Sequence, residues 1–167
     1  MSREQLRQWG DPILRMKTVE VTVFDGALRR LVERMSALME GAAGAGLAAP
    51  QAGSAQRLFV YRLSEEAPVE VLVNPCLTWA SDERLLGPEG CLSIPRVAVE
   101  VERAAAVTVV GCDARGVERT VTAEGPGAVV LQHELDHLDG ILMLDRAAPA
   151  ERRRAIRELR DQAFATR

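Results

Sequence analysis

The chain has two histidines, His133 and His137, and both fall in one pentapeptide, His133-Glu134-Leu135-Asp136-His137. Residues four apart share one face of an α-helix, so the two imidazoles can converge on a single metal ion. Glu134, turned by about 100° from His133, can lie over an open coordination position and act as a base. That is the chemistry of a metal-dependent hydrolase. Chance placement of two histidines on a solvated helix face would look the same in the bare motif. However, the apolar neighbours Val129, Val130, Leu131, Leu135 and Leu138 predict a helix buried over much of its surface. Buried imidazoles and carboxylates are costly unless they bind something.

Two histidines leave a four-coordinate catalytic site incomplete. The run continues His137-Leu138-Asp139-Gly140-Ile141-Leu142-Met143, which puts Met143 where a metzincin would need its third histidine. A metzincin is thereby excluded. A thermolysin-type site would use a downstream glutamate, for which Glu151 and Glu158 are available in an arginine-rich helix. The other donors of suitable softness are Cys76, Cys91 and Cys112. Cys91 lies in Glu89-Gly90-Cys91-Leu92-Ser93, a glycine-containing context that allows close backbone approach. Cys76 follows a proline and Cys112 ends a strand, and both are expected to be buried structural thiols.

The elements that must position these groups can be read from periodicity. Leu28, Leu31, Val32, Met35, Leu38 and Met39 recur at helical spacing over Ala27 to Glu40, with Asp25 or Gly26 as the cap. Gly41 to Gly53 is too rich in glycine and alanine for an ordinary element and reads as a close-packed loop. Strands are predicted at Arg57 to Arg62, Val69 to Asn74, Val97 to Val101, Val107 to Gly111 and Val117 to Thr122, forming an antiparallel meander. A helix over Gly127 to Leu138 should stop at Gly140, and a last helix should start after Pro149. Helices at the ends with strands between them make an α+β fold.

At 167 residues, 47% of them hydrophobic and 27% charged, the chain is expected to be one domain with its own core, an aliphatic one because aromatics are only 4%. An odd cysteine count and a charged Met1 to Gln8 predict reduced thiols in the cytoplasm. No run approaches the ~18 apolar residues of a membrane span. The net charge of −3 argues against a protein that coats nucleic acid. Charge is uneven, since residues 146–167 hold seven arginines against three acids, a net of +4 that leaves −7 on residues 1–145. That basic helix, 149–167, is either a solvated face or a surface for RNA.

The chain resembles the peptide deformylases. Three motifs carry the likeness in order: Gly44-Ala45-Gly46-Leu47-Ala48-Ala49-Pro50-Gln51, Glu89-Gly90-Cys91-Leu92-Ser93, and Gln132-His133-Glu134-Leu135-Asp136-His137-Leu138-Asp139-Gly140. Gly10-Asp11-Pro12-Ile13-Leu14-Arg15, Asn74-Pro75 and Asp145-Arg146 agree with it. The resemblance implies short antiparallel sheets packed around a central metal-binding helix. It implies removal of the N-formyl group from the methionine of nascent polypeptides, with release of formate. It also implies Cys91, His133 and His137 as metal ligands with a water in the fourth position, and Glu134 as general base and then acid. Gln51 and the backbone N–H of Leu92 would donate to the oxyanion. The methionine pocket would be lined by Ala45, Val129 and Val130, with Gly46 and Gly90 also in substrate binding.

The implied cofactor is one divalent metal, Fe(II) in the cell, with Ni, Co or Zn as substitutes, and an iron–thiolate site should be oxygen-sensitive. The implied partners are formylmethionyl peptides and, through the C-terminal helix, the ribosome, with no DNA and no membrane. The sequence departs from the pattern at Ala45, where Ile or Val is usual. It also carries Arg96 directly after Pro95, and Ala98 where many members have an arginine facing the peptide. Arg103 is expected to pair with Asp136. The competing readings are a zinc peptidase or amidase with Glu151 as third ligand, and an inactive paralogue that binds formylated peptides or ribosomes.

Overall fold

Asp25 accepts hydrogen bonds from the N–H groups of Ala27 and Leu28 and so starts helix α1, Gly26–Gly41, whose Leu28, Met35, Leu38 and Met39 are buried. The next segment corrects the loop expected at Gly41 to Gly53. Gly46–Ala48 is an edge strand, β1, and Ala49–Ala52 is a 3-10 turn. Side chains this small let the backbone come close enough to pair with strand β2, Leu58–Tyr61, with Gly46 opposite Tyr61 and Ala48 opposite Phe59. Hydrophobic periodicity carries no trace of such a strand.

Strand β3, Glu70–Ala80, is followed by β4, Arg84–Cys91, and β5, Ile94–Ala104, which form a separate two-stranded ribbon. Strands β6, Ala106–Cys112, and β7, Glu118–Glu124, return to complete a five-stranded sheet in the order β1-β2-β3-β6-β7. All strand pairs in both sheets are antiparallel. The predicted meander is therefore interrupted by a ribbon, one strand of which the sequence did not signal. Helices α2, Gly125–Leu138, α3, Met143–Arg146, and α4, Pro149–Ala165, follow. Pro126 sits in the first turn of α2, where its missing N–H costs nothing. The computed structural model describes residues 6–165, so the charged stretch Met1 to Gln8 lies partly outside them, as do Thr166 and Arg167.

Helix α2 is held between the two sheets. Ala128, Leu131 and Leu138 pack on Phe59, Leu72, Val107 and Val109 of the larger sheet. On the other side Val97, Val99 and Val101 of the ribbon form a cluster with Leu14, Met143, Leu144, Ala155 and Leu159. Each such buried aliphatic side chain contributes about 1.5–3 kcal/mol relative to exposure. The C-terminal end of α2 is fixed by Thr18, whose N–H and hydroxyl both donate to the Leu138 carbonyl. Gly140 then turns the chain at φ +73°, where an added Cβ would lie 2.5 Å from the Arg15 carbonyl oxygen. Cys76 is exposed and Cys112 half-buried, contrary to the buried thiols expected. Cys76 lies on the part of β3 that runs past β2, whereas Cys112 of β6, paired with Val73, packs at the margin of the α1 cluster.

Candidate metal centre

Helical spacing stacks His133 and His137 one turn apart on α2, with their Nε2 atoms 3.2 Å from each other. The β4–β5 turn delivers Cys91, whose Sγ is 3.3 Å from His137 Nε2. The ligand atoms of Cys91, His133 and His137 all lie within 4.8 Å of one another, a set that could hold a metal ion. A thiolate and two imidazoles suit a divalent ion of borderline softness. The buried Nδ1 of His137 and Oε2 of Glu134 have no hydrogen-bond partner among the described residues. Glu151 takes no part, because it is held by Arg154 on α4 at 2.8 Å.

The ligands are backed by a buried ionic chain. His133 Nδ1 is 2.9 Å from Glu89 Oε2, which orients the ring with its Nε2 toward Cys91 and His137. Arg103 binds both Glu89 oxygens, at 2.7 and 3.0 Å, and reaches Asp136 at 2.6 Å, as the sequence led us to expect. Asp136 also receives two bonds from Arg146, at 3.0 and 2.7 Å. Burial alone would raise the Glu89 carboxyl, but His133 and Arg103 hold it down at about 2. Burial depresses both imidazoles. The Cys91 sulfur and Glu89 reverse this at His133, whereas at His137 the neighbouring His133 and Arg103 add to it.

Sequence reasoning gave no role to Glu89 or to Arg146. A signal for Glu89 was present, since strand residues two apart face the same side and Glu89 precedes Cys91 by two. Nothing in the sequence marks Arg146 as a partner of Asp136.

Gly46 brings β1 against the base. A Cβ there would fall 2.4 Å from Glu134 Oε1, so only glycine lets the two elements meet. Burial pushes the Glu134 carboxyl up to about 7. Gln51 is fixed at both ends: its Oε1 accepts from the Ala48 N–H at 2.8 Å, and its Nε2 donates to Ser93 Oγ at 3.1 Å and lies 3.6 Å from Cys91 Sγ. A cavity of about 870 Å³ opens over these groups. It brings together every site residue named from the sequence except the deeper His137: Ala45, Gly46 and Gln51, then Gly90, Cys91 and Leu92, then Val129, Val130, His133 and Glu134. Leu85 and Gly87, which had not been singled out, also line it, as does Pro126.

An α+β fold that presents a Cys/His/His set beside a buried carboxylate, at the floor of an open cavity, defines a metal-dependent hydrolase. The Polypeptide deformylase family matches residues 3–153. A peptide deformylase from Thermotoga neapolitana is 44% identical over 163 residues, 98% of this chain and 98% of its own. One from Parafrankia is 43% identical over 96% of this chain and 87% of its own. The crystal structure of a peptide deformylase from Legionella pneumophila superposes with a TM-score of 0.90 at 36% identity, covering 96% of this chain and 95% of that one. The chain belongs to the peptide deformylase family, whose enzymes remove N-formyl groups. Nothing in the site or the relatives favours an inactive paralogue.

Proposed function

We propose that residues 1–167 form one catalytic domain that removes the formyl group from the N-terminal methionine of nascent polypeptides in the cytoplasm, with Cys91, His133 and His137 holding one ferrous ion. When bound, such an ion supplies Lewis acidity toward the formyl oxygen and makes water a nucleophile near neutral pH. The chain's own groups do the rest. Glu134 takes a proton from the water that adds to the formyl carbon, and passes it to the methionine nitrogen as the C–N bond breaks, giving formate and a free amine. Gln51, its oxygen tied to Ala48 and one amide N–H given to Ser93, offers its other amide N–H, on the Cys91 side, to the reacting carbonyl. The N–H of Leu92 is the second donor, and each donor contributes about 3–4 kcal/mol to the developing oxyanion. Ala45, Val129 and Val130 surround the methionine side chain, and Gly46 and Gly90 let the peptide backbone approach.

The observation that carries this reading is the unpartnered Glu134 Oε2 beside the three convergent donors, at the floor of the cavity. The test is formate release from a formyl-Met peptide by anaerobically prepared, iron-loaded enzyme, with the acetyl-Met peptide as control. Glu134→Ala is expected to lower kcat by about 10²–10⁴-fold with metal content retained. Formate production no higher than the variant's would overturn the reading.

On the same reading the enzyme meets its substrates at the ribosome. Arg153, Arg157 and Arg160 on α4 are exposed and make no ion pair among the described residues, while Ala155 and Leu159 anchor the helix. Cosedimentation with ribosomes should be salt-sensitive and should be lost when these three become glutamine.

A further inference from the structure

The cavity is lined almost throughout by small or apolar residues, and its charged groups are few: Glu89, His133 and Glu134, all in the inner site, and Arg96. Arg96 alone among these four is exposed. It makes no ion pair with any described residue. Its backbone is held at φ +61°, one of three positive values outside glycine among the described residues, in a region that favours glycine. A residue kept in a sparsely populated conformation at the edge of a functional cavity points to a task for its side chain. The backbone around it is anchored. Arg154 of α4 donates to the Ala98 carbonyl at 2.8 Å, and Val97 is buried in the cluster beneath the ribbon.

A formylated N-terminus carries no charge, so the cation at the rim has nothing to bind at the reacting end. It faces whatever follows the methionine. We infer that Arg96 is a specificity residue that favours formylated peptides with a carboxylate side chain at the second or third residue. This rests on the deformylase reading and adds a preference to it. The guanidinium is solvated, so the gain is that of an exposed ion pair, about two- to five-fold in kcat/KM, and should appear in KM with kcat unchanged.

The test compares formyl-Met-Asp-Ala-amide with formyl-Met-Asn-Ala-amide, and formyl-Met-Ala-Asp-amide with formyl-Met-Ala-Asn-amide, on wild-type enzyme and on Arg96→Gln and Arg96→Lys. Each acid/amide ratio is taken within one enzyme preparation, so differences in folding or metal content cancel. A ratio of about two to five at one position, lost in Arg96→Gln, partly kept in Arg96→Lys and erased by 0.5 M salt, supports the inference. Equal turnover of acid and amide peptides at both positions overturns it and leaves the deformylase reading intact, as does a ratio that survives Arg96→Gln. No formate from any of the four peptides overturns both.

Discussion

Arg103 stands between two buried carboxylates, Glu89 and Asp136, with its side chain 5% exposed. Removing it leaves both acids without their shared cation in a poorly solvated place. Breaking a buried pair from one side costs about 3–5 kcal/mol, so Arg103→Ala should be among the most destabilising substitutions in the chain by chemical denaturation. Gly46 acts differently. An alanine there would push the Glu134 side chain aside, since its three nearest atoms are Glu134 Oε1, Cδ and Cγ, while the ligand set itself is Cys91, His133 and His137. Gly46→Ala should therefore keep its metal content and lose about 10²-fold or more in kcat, measured as formate release beside a metal assay. Equal kcat would mean that the close approach of β1 to Glu134 has no bearing on its position.

Among the elements, α2 and α1 were legible because both announce themselves by period and by caps. Asp25 opens α1, and its carboxyl is held below the usual range near 4 by the Leu28 N–H, assisted by that of Ala27. A depressed folded value means that the cap's contribution is complete above the unfolded pKa and is lost as pH falls through the folded one. Asp25→Ala should accordingly lower Tm at pH 7, and the gap from wild type should narrow as the pH is taken below the ordinary aspartate value of 3.8. At the far end of α2, Gly140→Ala meets both a left-handed backbone and the Arg15 carbonyl. It should cost more than the ~1–2 kcal/mol of the backbone alone, read from the denaturation midpoint. Strands β1 and β4 were not legible in the same way. β1 is built of Gly46, Leu47 and Ala48, and β4 contains Gly87, Pro88 and Gly90, so neither has an alternating apolar pattern. Their register comes from the partner strand and from the packing of Glu134 and Glu89. The motif residues could be named from the sequence because their chemistry is local. Of the chain from His133 through Glu89, Arg103 and Asp136 to Arg146, only the Arg103–Asp136 link was read from the sequence; the others join side chains on different elements with no local pattern to mark them.

At the scale of the whole molecule, the ligand set spans a seam. His133 and His137 belong to α2, which packs on the five-stranded sheet, while Cys91 ends the ribbon strand β4 and faces a different apolar cluster. Across that seam the ribbon meets α2 through Glu89, Arg103 and Cys91, through two hydrogen bonds between Ala104 and Gln132, and through apolar contact at Ala104. An ion held by Cys91, His133 and His137 would tie the two layers together and bind only the folded state. Its effect on stability follows mass action, about 4 kcal/mol when free metal is a thousandfold above its Kd. For a chain of this size that amounts to a rise in Tm of about 10 °C. Calorimetry of the metal-loaded enzyme with and without a strong chelator should show this difference, and Cys91→Ala should melt alike in both conditions. The contrast with Glu134→Ala decides the interpretation: that variant retains all three donors and should keep the full metal-dependent shift while losing turnover. A chelator-insensitive Tm in the wild type would mean that the ionic chain behind the ligands already holds the ribbon to α2 and that the ion adds only chemistry.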